Sequence, residues 1–92
     1  MDEPVLRRKN DESLAWREFE GDVLALDMQN SVYLRLNRSG ALLWERLGTD
    51  GATRSELIAA LMEAFPVERE QAETDVDGFL SSCRELGLVA DA

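Results

Sequence analysis

The chain has 92 residues, of which 45% are hydrophobic and 32% charged, and this balance is typical of one folded domain rather than of a disordered segment. No apolar run approaches the roughly 20 residues that a membrane helix needs, and no signal peptide stands at the N-terminus, so we expect a cytoplasmic protein that does not contact a membrane. The 19 acidic and 10 basic residues give a net charge of −9, which disfavours binding to nucleic-acid phosphates.

The side chains that most enzymes use for acid–base or metal chemistry are scarce. The chain has no histidine, so a Ser-His-Asp or Cys-His mechanism cannot be assembled from it. Its single cysteine, Cys83, cannot form an intramolecular disulfide and has no thiol or imidazole partners for a zinc site. We therefore expect no enzyme activity, no metal and no cofactor, and we expect Cys83 to be a small buried filler.

The first twelve residues show little apolar pattern. The basic cluster Arg7-Arg8-Lys9 stands beside Asp11 and Glu12, and isolated charge runs of this kind are usually solvated. We therefore expect residues 1–12 to be mostly a flexible N-terminal arm, with a short extended piece at Val5-Leu6, and a single domain over residues 13–90.

Three short segments in the first half have the composition and alternation of β-strands. They are Leu14–Phe19, Val23–Asp27 and Ser31–Leu36. Turn residues separate them, with Gly21 in the first connection and Asn30 in the second. The spacing predicts an antiparallel meander of three strands.

The next two segments have helical spacing and recognisable ends. Asn37 or Ser39 can cap a helix that runs to about Leu47, because a short side-chain oxygen there accepts a hydrogen bond from the first turn. Thr53-Arg54-Ser55-Glu56 has the form of a capping box, and Pro66 ends the helix that follows.

The last helix is predicted over Glu68–Leu86, with Gly87 as its stop. Its apolar stripe consists of Ala72, Val76, Phe79, Leu80, Cys83 and Leu86. Leu88 and Val89 are then expected to pack back on the core.

Strands first and helices second make an α+β fold, a three-stranded antiparallel sheet followed by three helices. Such a sheet has two edges, and each edge offers unpaired N–H and C=O groups to an extended chain. If the third strand is an edge, its free side faces the last helix across a groove. A peptide added there would gain main-chain hydrogen bonds and side-chain pockets, which is recognition by β-augmentation.

Several stretches of the sequence resemble a known family. The stretch "YLRLNRSGALLWERL" is similar to the Leu-Asn-x-Ser/Thr-Gly-Ala-x-x-Trp signature of PqqD-like proteins, the RiPP recognition elements that bind leader peptides of ribosomally made, post-translationally modified peptides. "DVDGFLSSCRELGLV" resembles the third-helix signature of the same family, with Cys83 where the family usually has leucine, and "VLALD" resembles its second strand.

The resemblance implies a winged helix-turn-helix-like fold in which the leader docks as a fourth strand beside the third strand and lies against the third helix. The implied strand wall is Val32, Tyr33, Leu34 and Arg35. The implied helix wall is drawn from Ala72, Asp75, Val76 and Phe79.

Three functions remain open at this point. The resemblance favours a non-catalytic adaptor that hands a precursor to a partner enzyme, with the leader peptidase of a lasso-peptide pathway preferred. A chaperone of pyrroloquinoline quinone biosynthesis, which serves a radical-SAM enzyme, is a second reading, although Leu47–Gly51 stands where we associate a Cys-Asp-Gly segment with that protein. A winged-helix nucleic-acid-binding regulator is a third, but it needs a basic face that this acidic chain does not offer.

Overall fold

Eight short elements follow one another in the computed structural model, which describes residues 3–9, 14–48 and 50–91. The strands are β1 (Leu6–Arg8), β2 (Leu14–Phe19), β3 (Asp22–Asp27), β4 (Val32–Leu36) and β5 (Val89–Asp91). The helices are α1 (Arg38–Arg46), α2 (Arg54–Ala64) and α3 (Arg69–Glu85). The expected α+β order, a three-stranded antiparallel meander followed by three helices, is confirmed.

The meander β2-β3-β4 is built from two hairpins. Glu20 and Gly21 connect β2 to β3 with φ angles of 52° and 86°, the positive values that the twist of a two-residue hairpin requires. In the second hairpin, the Asp27 carboxylate accepts hydrogen bonds from the backbone N–H groups of Gln29 and Asn30 at 3.0 and 3.3 Å. These turns leave β2 and β4 as the two edges of the sheet.

The two faces of the sheet differ in burial because successive side chains of a strand point to opposite sides. On β3, Val23 and Ala25 are fully buried beneath α1. Leu24 and Leu26 alternate with them and are 39% and 41% exposed, since no described element covers the outer face. The helices therefore pack on one side of the sheet only.

The helix starts follow the local sequence. Asn37 caps α1, because its side-chain oxygen accepts a hydrogen bond from the Gly40 N–H at 3.1 Å. At the start of α2, the Glu56 N–H donates to the Thr53 hydroxyl at 3.1 Å and the Thr53 N–H donates to the Glu56 carboxylate at 2.9 Å. The predicted capping box is confirmed.

The core lies where the three helices meet the inner face of the sheet. Its largest fully buried apolar side chains are Trp44, Leu43, Leu47, Leu57, Ile58, Leu61, Leu88, Val23 and Val76. Cys83 is fully buried among them, and this burial raises the pKa of its thiol to about 12. No helix of the described residues is long and apolar enough to cross a bilayer.

The N-terminal segment differs from the expected flexible arm. Strand β1 pairs antiparallel with β5, and Leu6 is 2% exposed and belongs to the core. The Leu6 N–H also donates to the Ala52 carbonyl at 2.8 Å. Within the segment expected as an arm, one apolar side chain and a distant partner strand hold Leu6–Arg8 in place. Residues 1, 2 and 10–12 lie outside the described residues.

Candidate functional site

A cleft of about 710 Å³ lies between β4 and α3, and we call it the groove. Leu34, Arg35 and Leu36 of β4 line one wall. Side chains and backbone of α3 line the other, at Asp75, Gly78, Phe79 and Ser82. The start of α1 lines it as well, with Asn37, Ser39, Gly40 and Leu43.

The strand wall of the groove is an open sheet edge. Among the described residues, β4 pairs with β3 and with no other strand. The N–H and C=O groups on the far side of β4 are therefore available to an added strand.

The helix wall comes from one face of α3. Positions 75, 78, 79 and 82 follow the i, i+3, i+4, i+7 spacing, so their side chains fall on the same side of the helix. Gly78 leaves this wall shallow, because a Cβ added there would meet no heavy atom within 4 Å. Phe79 is only 7% exposed, so it lines the groove while most of its side chain packs in the core.

Gly40 brings α1 close to the end of β4. A Cβ at this position would lie 3.1 Å from Cδ2 and 3.2 Å from Cβ of Leu36, which is tighter than ordinary van der Waals contact. Glycine therefore allows the helix to start directly beside the strand, and the junction holds the strand wall in place.

The charged groups of the groove are solvated at its rim. Arg35 lies 3.6 Å from the Asp22 carboxylate, with the arginine side chain 70% exposed. Asp75 accepts a hydrogen bond from the Gln71 amide at 2.8 Å, within one face of α3. Exposed pairs of this kind contribute little to stability, so these groups can exchange their partners for those of a bound chain at small cost.

The structure brings together half of the residues that the sequence pointed to. Leu34 and Arg35 on the strand and Asp75 and Phe79 on the helix line the same groove. Their convergence depends on the α1 junction and on the packing of α3 against the core.

The other four predicted residues do not line the groove. Ala72 and Val76 are 0% exposed. They belong to the buried stripe of α3, which lies next to the helix face that lines the groove but is not the same face. Val32 is half-buried on the inner face opposite Asp27, and Tyr33 is 71% exposed on the outer face opposite Leu26.

Sequence reasoning missed the groove residues that carry no distinctive side chain. They are Leu36, Asn37, Ser39, Gly40, Leu43, Gly78 and Ser82, with Asp22 at the rim. A signal was present for Gly78 and Ser82, which follow Asp75 at positions i+3 and i+7 and so share its helix face.

A second cleft of about 550 Å³ shares Asp22, Asn37, Ser39 and Asp75 with the groove and extends it past the end of β4. Phe65 and Val67, at the end of α2 and in the connection to α3, add apolar surface, and Arg38 adds a cation. Together the two clefts suit an extended chain rather than a compact small molecule. Within the described residues, no three carboxylate or thiol side chains lie together in a way that would hold a metal ion.

Two solved structures have the same fold. TbiB1 in complex with the TbiA(beta) leader peptide superposes with a TM-score of 0.76 at 22% identity, over 90% of this chain and 93% of that one. Lasso peptide synthetase B1 complexed with the leader peptide superposes with a TM-score of 0.74 at 26% identity, over 92% of this chain and 96% of that one.

The family assignment comes from the sequence. No curated protein matches the chain. A model of the family described as coenzyme PQQ synthesis protein D (PqqD) matches residues 22–89, which is well over half of the chain. The matched region runs from the start of β3 to the start of β5 and so contains both walls of the groove. The chain therefore belongs to the PqqD family.

Proposed function

We propose that this protein is a RiPP recognition element, an adaptor that captures the leader of a precursor peptide and delivers it to a separate maturation enzyme. The observation that carries the proposal is the unpaired edge of β4 facing a groove of mixed polar and apolar lining. The leader adds to this edge as a further strand and lies against α3.

The geometry supports binding through the backbone. An added strand makes main-chain hydrogen bonds with β4, each with a net contribution of about 0.5–1.5 kcal/mol. Its alternate side chains enter the groove, where Leu34 and Phe79 offer apolar contact and Asp75 offers a carboxylate. Arg35 at the rim pairs with an acidic side chain of the leader or keeps its bond to Asp22. Ala72 and Val76 are buried in the core on the other side of α3 and support its position opposite β4.

The comparisons support the same occupant. Both similar structures hold a leader peptide, and the one at 26% identity is a lasso peptide synthetase B1. On this basis we propose a lasso-peptide leader peptidase as the partner enzyme. The adaptor itself catalyses no step and acts by raising the local concentration of the precursor at that enzyme.

The first test is to narrow the groove without disturbing the core. Gly78→Phe places an aromatic ring in open space on the helix wall, and the loss of a helical glycine does not weaken α3. We expect saturable binding of a fluorescent leader to the wild type, measured by anisotropy, and binding at least about tenfold weaker for Gly78→Phe, a difference of about 1.4 kcal/mol.

Ser81→Phe is the matched control. Ser81 is exposed on the same helix but lines a different cleft, so the same ring there leaves leader binding unchanged. Equal binding by the wild type and Gly78→Phe, or no binding by the wild type, would contradict the proposal.

A further inference from the structure

The face of the sheet that points away from the helices carries large apolar side chains. Phe19 of β2, Leu24 and Leu26 of β3 and Tyr33 of β4 are 46%, 39%, 41% and 71% exposed. These are four of the eight exposed large apolar side chains in the described part of the chain, and no described element covers them. We call these four residues the outer patch.

The same face of the sheet also carries two arginines, and Asp22 lies on it opposite Phe19. Leu24 lies between Arg17 on β2 and Arg35 on β4, so a row with two cations crosses the sheet beside the Leu26–Tyr33 row. Both arginines are exposed, and Arg35 has one acidic neighbour, Asp22. In a chain with a net charge of −9, this is an apolar surface flanked by positive charge.

The combination of apolar side chains and arginines favours a different protein, rather than a second copy of this chain, as the partner that binds the outer patch. A symmetric contact would place the outer patch against itself and bring the cations of both copies into the same interface. A partner with an apolar patch and a carboxylate rim matches the face in both respects.

The outer patch is also continuous with the edge that the proposed leader would occupy. Tyr33 and Arg35 project from β4 to this face, and a strand added to β4 would place every second side chain beside them. A partner that docks on the outer patch therefore contacts the adaptor and the leader at once.

We infer that the outer patch, flanked by Arg17 and Arg35, is the surface on which the maturation enzyme docks, through an apolar patch of its own with an acidic rim. This inference rests on the proposed adaptor function and adds the surface through which the enzyme is engaged.

The test uses Leu26→Glu, which places a negative charge on the outer patch beside Tyr33 and outside the groove. The probe is the purified leader-processing enzyme encoded in the same gene cluster, with binding measured by biolayer interferometry. We expect enzyme binding at least about tenfold weaker, with leader binding by anisotropy unchanged. Met62→Glu, at an exposed apolar position on α2, is the matched control and leaves both unchanged.

The two readouts separate the possible failures. A wild type that does not bind leader contradicts the proposed function. Normal leader binding together with equal enzyme binding by the wild type and Leu26→Glu overturns the docking inference, and so does a wild type that does not bind the enzyme. A wild-type dimer in sedimentation velocity that Leu26→Glu converts to monomer also overturns it, because the patch is then a self-association surface.

Discussion

Asp27 shows how one buried carboxylate organises the edge strand. It is 1% exposed and ends β3 directly opposite Val32, the first residue of β4. Its oxygens accept hydrogen bonds from the Lys9 ammonium and the Asn30 amide, both at 2.9 Å, and from the backbone N–H of Gln29 at 3.0 Å. The hydrogen bond from Lys9, followed by that from the Asn30 side chain, lowers the pKa of Asp27 to about 2.

This pKa predicts a specific dependence of stability on pH. A carboxyl whose pKa is lower in the folded than in the unfolded chain stabilises the fold above about pH 4, and the contribution is lost as the pH falls toward about 2. Asp27→Asn is therefore less stable than the wild type at neutral pH, and the difference narrows through this acidic range. Urea unfolding followed by circular dichroism measures the difference in the free energy of unfolding between the two proteins. A difference that stays constant with pH would refute the lowered pKa of Asp27.

At the scale of elements, the short β1–β5 pair fastens the N-terminal segment across the domain. Leu6 lies in the core, and the Arg8 guanidinium stands 5.0 Å from the ring centres of both Trp16 and Trp44. Arg8 also donates to the Trp44 carbonyl at 3.0 Å. Cation–π contacts and apolar burial together hold this three-residue strand in place, because its backbone hydrogen bonds alone would be too few to do so.

Leu6→Ala tests whether this segment is structural. Removing a buried leucine side chain lowers the free energy of unfolding by about 2–4 kcal/mol. Val5→Ala, at a neighbouring residue that is 38% exposed, changes the free energy of unfolding by less than about 0.5 kcal/mol. Urea denaturation compares the two, and equal stability of Leu6→Ala and the wild type would mean that the segment is a loose arm after all.

At the scale of the whole molecule, β4 serves two surfaces. Its free edge, Leu34 and Leu36 face the groove, and Tyr33 emerges on the outer face of the sheet. Arg35 also starts on the outer face, and its side chain reaches the rim of the groove. The proposed leader and the proposed enzyme can therefore bind at the same time. An adaptor needs this arrangement, since both partners must be held together.

The sequence predicts the parts of this architecture that have local signals. The strands of the meander and the helix caps at Asn37 and Thr53 can be predicted, because each depends on residues that are close together in the sequence. The pairing of β1 with β5 joins three-residue strands from opposite ends of the chain, and no local pattern announces it. In the site, the family resemblance implies that Ala72 and Val76 belong to the helix wall, but both are fully buried, and only packing decides which face of α3 is open to the groove.

The most direct test of the central claim is amide hydrogen exchange by NMR on the labelled protein with and without leader peptide. We predict that leader slows exchange for backbone amides of Val32–Leu36 on the free edge of β4 and shifts the amide signals of Asp75, Gly78 and Ser82 across the groove. Protection confined to β2, the opposite edge of the sheet, with β4 unchanged, would contradict the account.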